Sequence, residues 1–208
     1  MRGIPPAPDV RLVTKKDVAG VARALARAFD DDPVSMYIFP DNERRRRQLE
    51  HFFRLQINRT FLRRGEGYTT SDLRGGAFWM TPDSGRPGFW EVLQQIPLVF
   101  VVGRRLAPTM RLLALLDSRH PKTPHYYLGT VGTDPAWQGR GIGSAMLEPV
   151  LRRCDAEGLP AYLESSKEQN LSFYRRHGFE VREELQVDEG PRLWLMWREP
   201  PATGGGRL

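Results

Sequence analysis

Apolar positions first cluster at 10–13, a run of strand length. The period then changes. Val18, Val21, Ala22, Leu25, Ala28 and Phe29 recur at helical spacing and predict a helix to about residue 29. Thr14, with Asp17 three positions on, has the chemistry of a capping box in which Asp stands in for Glu. Asp30-Asp31-Asp32-Pro33 closes that helix, because the residue before a proline avoids the helical region. A second helix is predicted from Asp41-Asn42 to about residue 62, burying Leu49, Phe52, Phe53, Ile57 and Phe61. Two strands follow at 67–73 and 76–80, with a Gly-Gly-containing turn between them.

Residues 82–120 fit neither period. Pro82, Pro87, Pro97 and Pro108 punctuate two short helical patterns, 89–96 and 110–116, so the stretch reads as a helical insertion over one end of a sheet. The remaining pattern is clearer: strand 126–133, helix 141–157, strand 161–164, short helix 170–177 closed by Gly178, and strands 180–187 and 192–198. Pro149 removes a hydrogen bond to the Ala145 carbonyl inside the long helix, and a kink is expected there. This order implies an α+β domain with helices on both faces of a sheet. It is expected to occupy 10–199 as a single domain, with flexible tails at 1–9 and 200–208.

Composition narrows the class. The chain has 208 residues, 40% hydrophobic and 27% charged, which suits a globular domain with a substantial core. Its single cysteine cannot form an internal disulfide, and no Cys/His cluster has zinc-site spacing, so no metal is expected. The N-terminal eight residues hold three prolines and no apolar segment of a signal peptide. The longest apolar run, 96–102, contains Pro97 and falls far short of the ~20 residues that span a bilayer. A soluble, cytoplasmic protein with no membrane partner is expected. The net charge is +6, and 27 of the 31 basic residues are arginine. The 44–47 run and the scattered Arg pairs lie between acidic residues, without interleaved aromatics. They read as solvated faces and not as a nucleic-acid site.

The informative segment is Gln138-Gly139-Arg140-Gly141-Ile142-Gly143-Ser144, which follows a strand and opens a helix. Glycines allow tight turning and close backbone approach, and the unpaired amides of a helix start favour a pyrophosphate. A Walker loop is absent, and Ser144 stands where a dinucleotide fingerprint needs its third glycine. Only 65 residues follow Gly143, too few for a doubly wound domain that opens on this loop.

Val131-Gly132-Thr133-Asp134-Pro135, the glycine segment, and Asn170-Leu171-Ser172-Phe173-Tyr174 followed by Gly178-Phe179 resemble the GNAT superfamily of acetyl-CoA-dependent N-acetyltransferases. Leu128-Gly129-Thr130-Val131-Gly132, Tyr162-Leu163-Glu164-Ser165-Ser166, residues 170–179 and Glu189-Gly190-Pro191-Arg192 are similar to the puromycin N-acetyltransferase branch. The likeness is strong over 120–198, recognisable over 10–34 and weak over 35–119, the part that shapes the acceptor site in such enzymes.

The resemblance implies a mixed, mostly antiparallel, splayed central sheet with acetyl-CoA as co-substrate in the gap between strands 126–133 and 161–164. It implies that the backbone of Val131, Gly132 and Thr133 meets the pantetheine arm. Amides of Gln138, Gly139, Arg140, Gly141, Ile142, Gly143 and Ser144 would hold the pyrophosphate. Asn170 would reach the arm, with Phe173 packed beside it. Tyr174 matches the family's acid: a phenol of reference pKa about 10 can protonate a thiolate near about 8.5. Core packing is its alternative role. Glu164 is the candidate base, acting directly, through water or by holding the ammonium group; a structural acceptor is the alternative.

The expected activity is direct transfer to the primary amine of a small molecule, antibiotic-like or aminonucleoside-like, by a monomer or homodimer. Acetylation of a protein N-terminus or lysine, or non-catalytic acyl-CoA binding, are the alternatives. Asp30, Asp31 and Asp32 read as capping and turn residues, with attraction of a cationic acceptor as the alternative. His125 and His177 read as bystanders, and Cys154 as core. Trp79, Trp90, Tyr37 and Phe39 pack by default, or line an aromatic acceptor pocket.

Overall fold

The sheet is built around β3, Gly75–Met80, which is buried at every position because strands cover both its edges and helices both its faces. In this computed structural model, which describes residues 8–84, 105–187 and 190–201, the other strands are β1 Val10–Leu12, β2 Gly65–Thr70, β4 Tyr126–Thr133, β5 Ala161–Ser165, β6 Glu180–Gln186 and β7 Arg192–Arg198. Their order is β1-β2-β3-β4-β5-β7-β6. Every neighbouring pair is antiparallel except β4 and β5. The α+β reading holds.

Helices α1 Val18–Ala28, α2 Pro33–Ile38, α3 Asn42–Gln56, α4 Leu106–Arg119, α5 Ile142–Glu157 and α6 Leu171–Arg176 flank the sheet. One face packs α5 and α6 through Met146, Leu147, Val150, Cys154 and Tyr174 against Trp79, Leu163 and Met196. Burial pushes the Cys154 thiol up to about 12, so it stays a neutral core group. The other face packs α1 and α3 through Val21, Leu25, Leu49 and Phe53 against Phe78. Leu112 of α4 closes a smaller cluster with Tyr162, Leu193 and Leu195.

Several predicted boundaries change for identifiable reasons. Asp17 accepts from the Thr14 amide at 2.8 Å and from its hydroxyl at 2.7 Å, so Thr14 donates instead of capping, and α1 starts after Asp17. The Arg11 guanidinium, bonded at 2.8 and 2.9 Å, holds the Asp17 carboxyl well below the usual carboxylate range. Asp32-Pro33 does more than follow α1. The Asp32 side chain accepts from the Ser35 amide at 2.9 Å and Pro33 takes the first helical turn, so the pair starts α2, which sequence reasoning missed.

The predicted second helix is α3 continued by a π turn, Ile57–Phe61, and by Leu62–Arg64. Strand β2 stops at Thr70, whose hydroxyl accepts from the Arg74 amide and donates to Asp72, and Leu73 takes a left-handed φ of 58° in the turn. Helix α5 runs unbroken through Pro149. The 110–116 pattern lies within the longer α4; the 89–96 pattern and tail residues 1–7 and 202–208 lie outside the described residues. Among the described residues, no helix is long and apolar enough to cross a membrane, and no three His, Cys, Asp or Glu side chains gather to hold a metal.

Candidate active site

The parallel pair β4–β5 registers only at Tyr126↔Ala161 and Tyr127↔Tyr162. Beyond that point β4 keeps its ladder with β3, through Thr133↔Gly75, and leaves β5. The register steps from Phe78↔Thr130 to Trp79↔Leu128, which makes Gly129 an extra residue on β4. Such a bulge bends its strand. The splay opens at the carboxyl ends of the two strands, where the inner edge of β4 offers backbone groups to an extended ligand.

Trp137 and the glycine segment lead from β4 into α5. Gly139 and Gly141 take φ values of +74° and +77°, and a Cβ on either meets no heavy atom within 4 Å. Their need for glycine is therefore conformational, and the space in front of them is open. Gly141 caps α5 without a side-chain bond, so the first amides of the helix stay available to an anion. Gln138 donates its side-chain amide to the Thr133 carbonyl at 3.1 Å and ties the loop to β4. At Gly143 a Cβ would come within 3.2 Å of the Phe173 ring, so this glycine lets α5 approach α6.

These elements surround a cavity of about 650 Å³. Val131, Gly132, Thr133, Gln138, Gly139, Gly141, Ile142, Gly143 and Ser144 line it, with Asn170, Phe173 and Tyr174 opposite. Arg140 does not; its guanidinium lies 4.5 Å from the Trp137 ring, which also carries Arg74 at 3.3 Å. Arg27, Arg46, Lys167 and Arg176 share the wall with Asp30, Asp31 and Asp32; Arg27 pairs with Asp134, Arg46 with Asp30 and Lys167 with Asp31.

Tyr174 sits four residues after Asn170 and is 7% exposed, between Phe173 at 5.2 Å and Phe179 at 6.2 Å between ring centres. Burial, and then the negative charge of Asp32, raise its phenol well above the ordinary value. It therefore holds its proton throughout the neutral range. Asp32, 6% exposed, is itself pushed up by burial, against hydrogen bonds from the Ser166 hydroxyl and the Ser35 amide and the charge of Lys167.

A second cavity of about 270 Å³ meets the first at Phe29 and Asp32. Phe39, Phe52, Phe53, Phe61, Met80 and Tyr127 belong to its apolar wall, and the π turn supplies Thr60 as well as Phe61. Glu164 lines this cavity and not the first. The reason is strand alternation: Leu163 points into the α5 core, so Glu164 and Tyr162 face the other side of the sheet. The structure brings Asn170, Phe173 and Tyr174 to the glycine loop and sets Glu164 across the sheet from them. Asp32 stands where the two spaces join. Its sequence signal, an Asp-Pro pair after two further aspartates, read first as helix punctuation, with attraction of a cationic acceptor as the alternative.

Of the aromatic candidates, Phe39 lines the second cavity, while Trp79 is fully buried in the α5 core. Tyr37 packs beneath α4, with Arg105 5.6 Å from its ring; Trp90 lies outside the described residues. His177 donates to the Phe173 carbonyl at 2.8 Å and closes α6.

Residues 98–179 match the Acetyltransferase (GNAT) family. Over 205 residues the chain is 30% identical to an uncharacterized N-acetyltransferase of Schizosaccharomyces pombe, covering 90% of this chain and 82% of that one. The chain belongs to the GNAT family of acetyltransferases. A solved Corynebacterium glutamicum protein, described as histone acetyltransferase HPA2 and related acetyltransferase, shares the fold with a TM-score of 0.71 and 27% identity, over 93% of this chain and 97% of that one. PaiA N-acetyltransferase from Thermoplasma acidophilum, solved in complex with coenzyme A, superposes with a TM-score of 0.55 at 12% identity, over 93% and 99%. As a GNAT acetyltransferase the protein depends on acetyl-CoA. The open glycine cradle at the α5 N-terminus and the edge of β4 that leaves β5 suit a pyrophosphate followed by an amide-bearing arm.

Proposed function

We propose that this GNAT acetyltransferase transfers acetyl directly to the primary amine of a small molecule, of an antibiotic-like or aminonucleoside-like kind. The observation that carries the reading is the second cavity. It is compact and walled by phenylalanines, it carries Glu164, and it meets the glycine-lined cavity at Asp32. A peptide acceptor needs a long groove; a pocket of this size suits one apolar or aromatic body. The likeness to the puromycin N-acetyltransferase branch supports the aminonucleoside class.

In this reading the loop amides and the α5 N-terminus hold the pyrophosphate, and Asn170 and Phe173 align the arm. Tyr174 keeps a proton at its hydroxyl for the leaving sulfur, because burial and Asp32 prevent its loss. Glu164 takes the proton of the amine. An α-amino group of pKa about 7.7–8 is already partly neutral, whereas an amine near about 10.4 needs about 4 kcal/mol to shed its proton at neutral pH. Asp32 draws the ammonium group to the junction.

A protein amine as acceptor is favoured by one observation, the description of the C. glutamicum relative as a histone acetyltransferase. A screen for free-thiol release from acetyl-CoA separates the readings, run across aminonucleosides, aminoglycosides, polyamines and peptides. Turnover is expected with compact amines on an apolar body. Turnover with peptides alone overturns the small-molecule reading.

A further inference from the structure

Glu164 begins a line of buried polar atoms that leads away from the acceptor pocket. Its side chain is 9% exposed, and Oε1 makes no hydrogen bond. His120, which caps the end of α4, brings Nδ1 to 3.8 Å from that oxygen, and Nδ1 makes no hydrogen bond either. On the far side of its ring, Nε2 of His120 lies 3.1 Å from Nε2 of His125. The second nitrogen of His125, Nδ1, lies 2.7 Å from the Thr123 carbonyl. Tyr127 of β4 and Tyr162 of β5 stand edge-on to His120 at 5.0 Å, and Trp197 of β7 lies 5.6 Å from His125. A third cavity, of about 220 Å³, is lined by both histidines and by Lys122.

Proton positions follow from donor and acceptor chemistry. A carbonyl only accepts, so His125 carries its proton on Nδ1 and, when neutral, presents a lone pair at Nε2. The 3.1 Å contact then requires His120 to donate from its own Nε2. Neutral His120 is left with a lone pair on Nδ1, facing the Glu164 carboxylate. Two acceptors facing each other in a buried space make a site for one further proton.

The geometry points to a proton exit from the acceptor pocket, from Glu164 to the His120–His125 pair and on to the third cavity. This rests on the acetyltransferase reading. When an ammonium group is acetylated, the N–C bond forms, the C–S bond breaks and the nitrogen loses two protons. Tyr174 gives one proton to sulfur and regains one of those two. The other must reach water. Glu164 receives it, and His120 Nδ1 takes it from Oε1 once the side chains close their 3.8 Å gap to hydrogen-bond distance, becoming a cation that the His125 lone pair stabilises. The pair then releases one proton to water in the third cavity, and carboxylate and neutral rings are restored. Imidazole suits this step because its ordinary pKa lies near neutrality. Among the described residues, Tyr127, Tyr162 and Lys122 also face the pair. His120 acts through Glu164 and is a positioning residue.

The test has two arms, both with folding checked by thermal melts. In the resting protein, nitrogen NMR is expected to show His120 protonated at Nε2 and His125 at Nδ1. Glu164→Gln is expected to change the nitrogen shift of His120 Nδ1, because the carboxylate acceptor that faces it is replaced by an amide. In turnover of an amine accepted in the screen, His120→Gln is expected to lower kcat/KM on the order of 10-fold or more and to move the acid limb of its pH profile, with coenzyme A affinity unchanged. Imidazole in solution is expected to restore part of the rate of His120→Ala. A His120 Nδ1 nitrogen shift indifferent to Glu164→Gln overturns the exit route even if the histidine variants fail to fold. So does a folded His120→Gln with parental kcat/KM and an unmoved profile; both results leave the transferase reading standing. A parent chain that acetylates no amine overturns that reading, and the exit route with it.

Discussion

Gly141 and Gly158 bracket helix α5, and the pair permits a controlled test of the cofactor loop. Both take left-handed conformations, φ +77° and +65°, and a Cβ on either meets no heavy atom within 4 Å. Valine at either position therefore adds backbone strain without collision, on the order of 1–2 kcal/mol. At about 2–4 °C per kcal/mol for a chain of this length, each variant is expected to melt roughly 2–8 °C below the parent. Binding is expected to separate them. The Gly141 side chain would enter the open space of the cavity that this loop lines and hold a bound pyrophosphate off the amides, whereas Gly158 lies at the opposite end of a 16-residue helix, about 24 Å away. A hydrogen bond to a charged group contributes about 1.5–3 kcal/mol, so displacing two amides from a pyrophosphate costs about 3–6 kcal/mol. That corresponds to about 10²–10⁴-fold in Kd. Titration calorimetry with coenzyme A, beside thermal melts, reads both effects. A Gly141→Val protein that melts like Gly158→Val yet binds coenzyme A with parental affinity would refute the loop assignment.

Tyr174→Phe keeps the ring contacts with Phe173 and Phe179, so Tm and coenzyme A affinity are expected to hold while kcat falls on the order of 10²-fold; turnover within threefold of the parent, with chemistry limiting, means the phenol is not the acid. Asp32 has a raised carboxyl pKa in the folded chain, so its contribution to stability is present below the ordinary carboxylate pKa and is lost as pH rises through the folded value. Asp32→Asn keeps an α2 cap and removes that dependence; its Tm is expected to exceed the parent's at neutral pH and to converge with it in acid, and a variant less stable at neutral pH counts against the argument. Coenzyme A at 100 times its Kd is expected to add about 2.7 kcal/mol to stability, read as a rise in Tm, and an unmoved Tm means the splayed strands are not its site.

That the glycine segment and residues 170–174 come together around one cavity was legible because their spacing is local. Gly139 and Gly141 are needed for their own φ values, α5 follows at once, and the preceding strand shows a recognisable pattern. Asn170 and Tyr174 are four residues apart on one short segment, and that spacing alone places them together. Where local chemistry is ambiguous, the reading failed. Asp-Pro both follows one helix and opens the next, so α2 went unseen. The polar stretch after Thr70 alternates no differently from the strand before it, and only the Thr70–Arg74 and Thr70–Asp72 hydrogen bonds end β2 there. The π turn at Ile57–Phe61 keeps the helical apolar spacing and leaves no mark in the pattern.

The acceptor half is a product of topology. Phe29 comes from the end of α1, Asp32 from the cap of α2, Phe53 from α3, Phe61 from the π turn, Tyr127 from β4 and Glu164 from β5. No two of them share a motif, and they meet because the order β3-β4-β5 puts α1 and α3 over the face opposite α5. The same alternation that buries Leu163 under α5 turns Glu164 towards that opposite face, so Tyr174 and Glu164 line the two cavities from two sides of the sheet. A carboxyl at that junction works against folding: burial raises the pKa of Asp32, and its hydrogen bonds only partly offset this. Stability alone would favour a neutral cap there, since Asn caps a helix as well as Asp. A buried charge shared by the two cavities, within electrostatic reach of Tyr174, instead suits a site that draws a cation inward and keeps a phenol protonated.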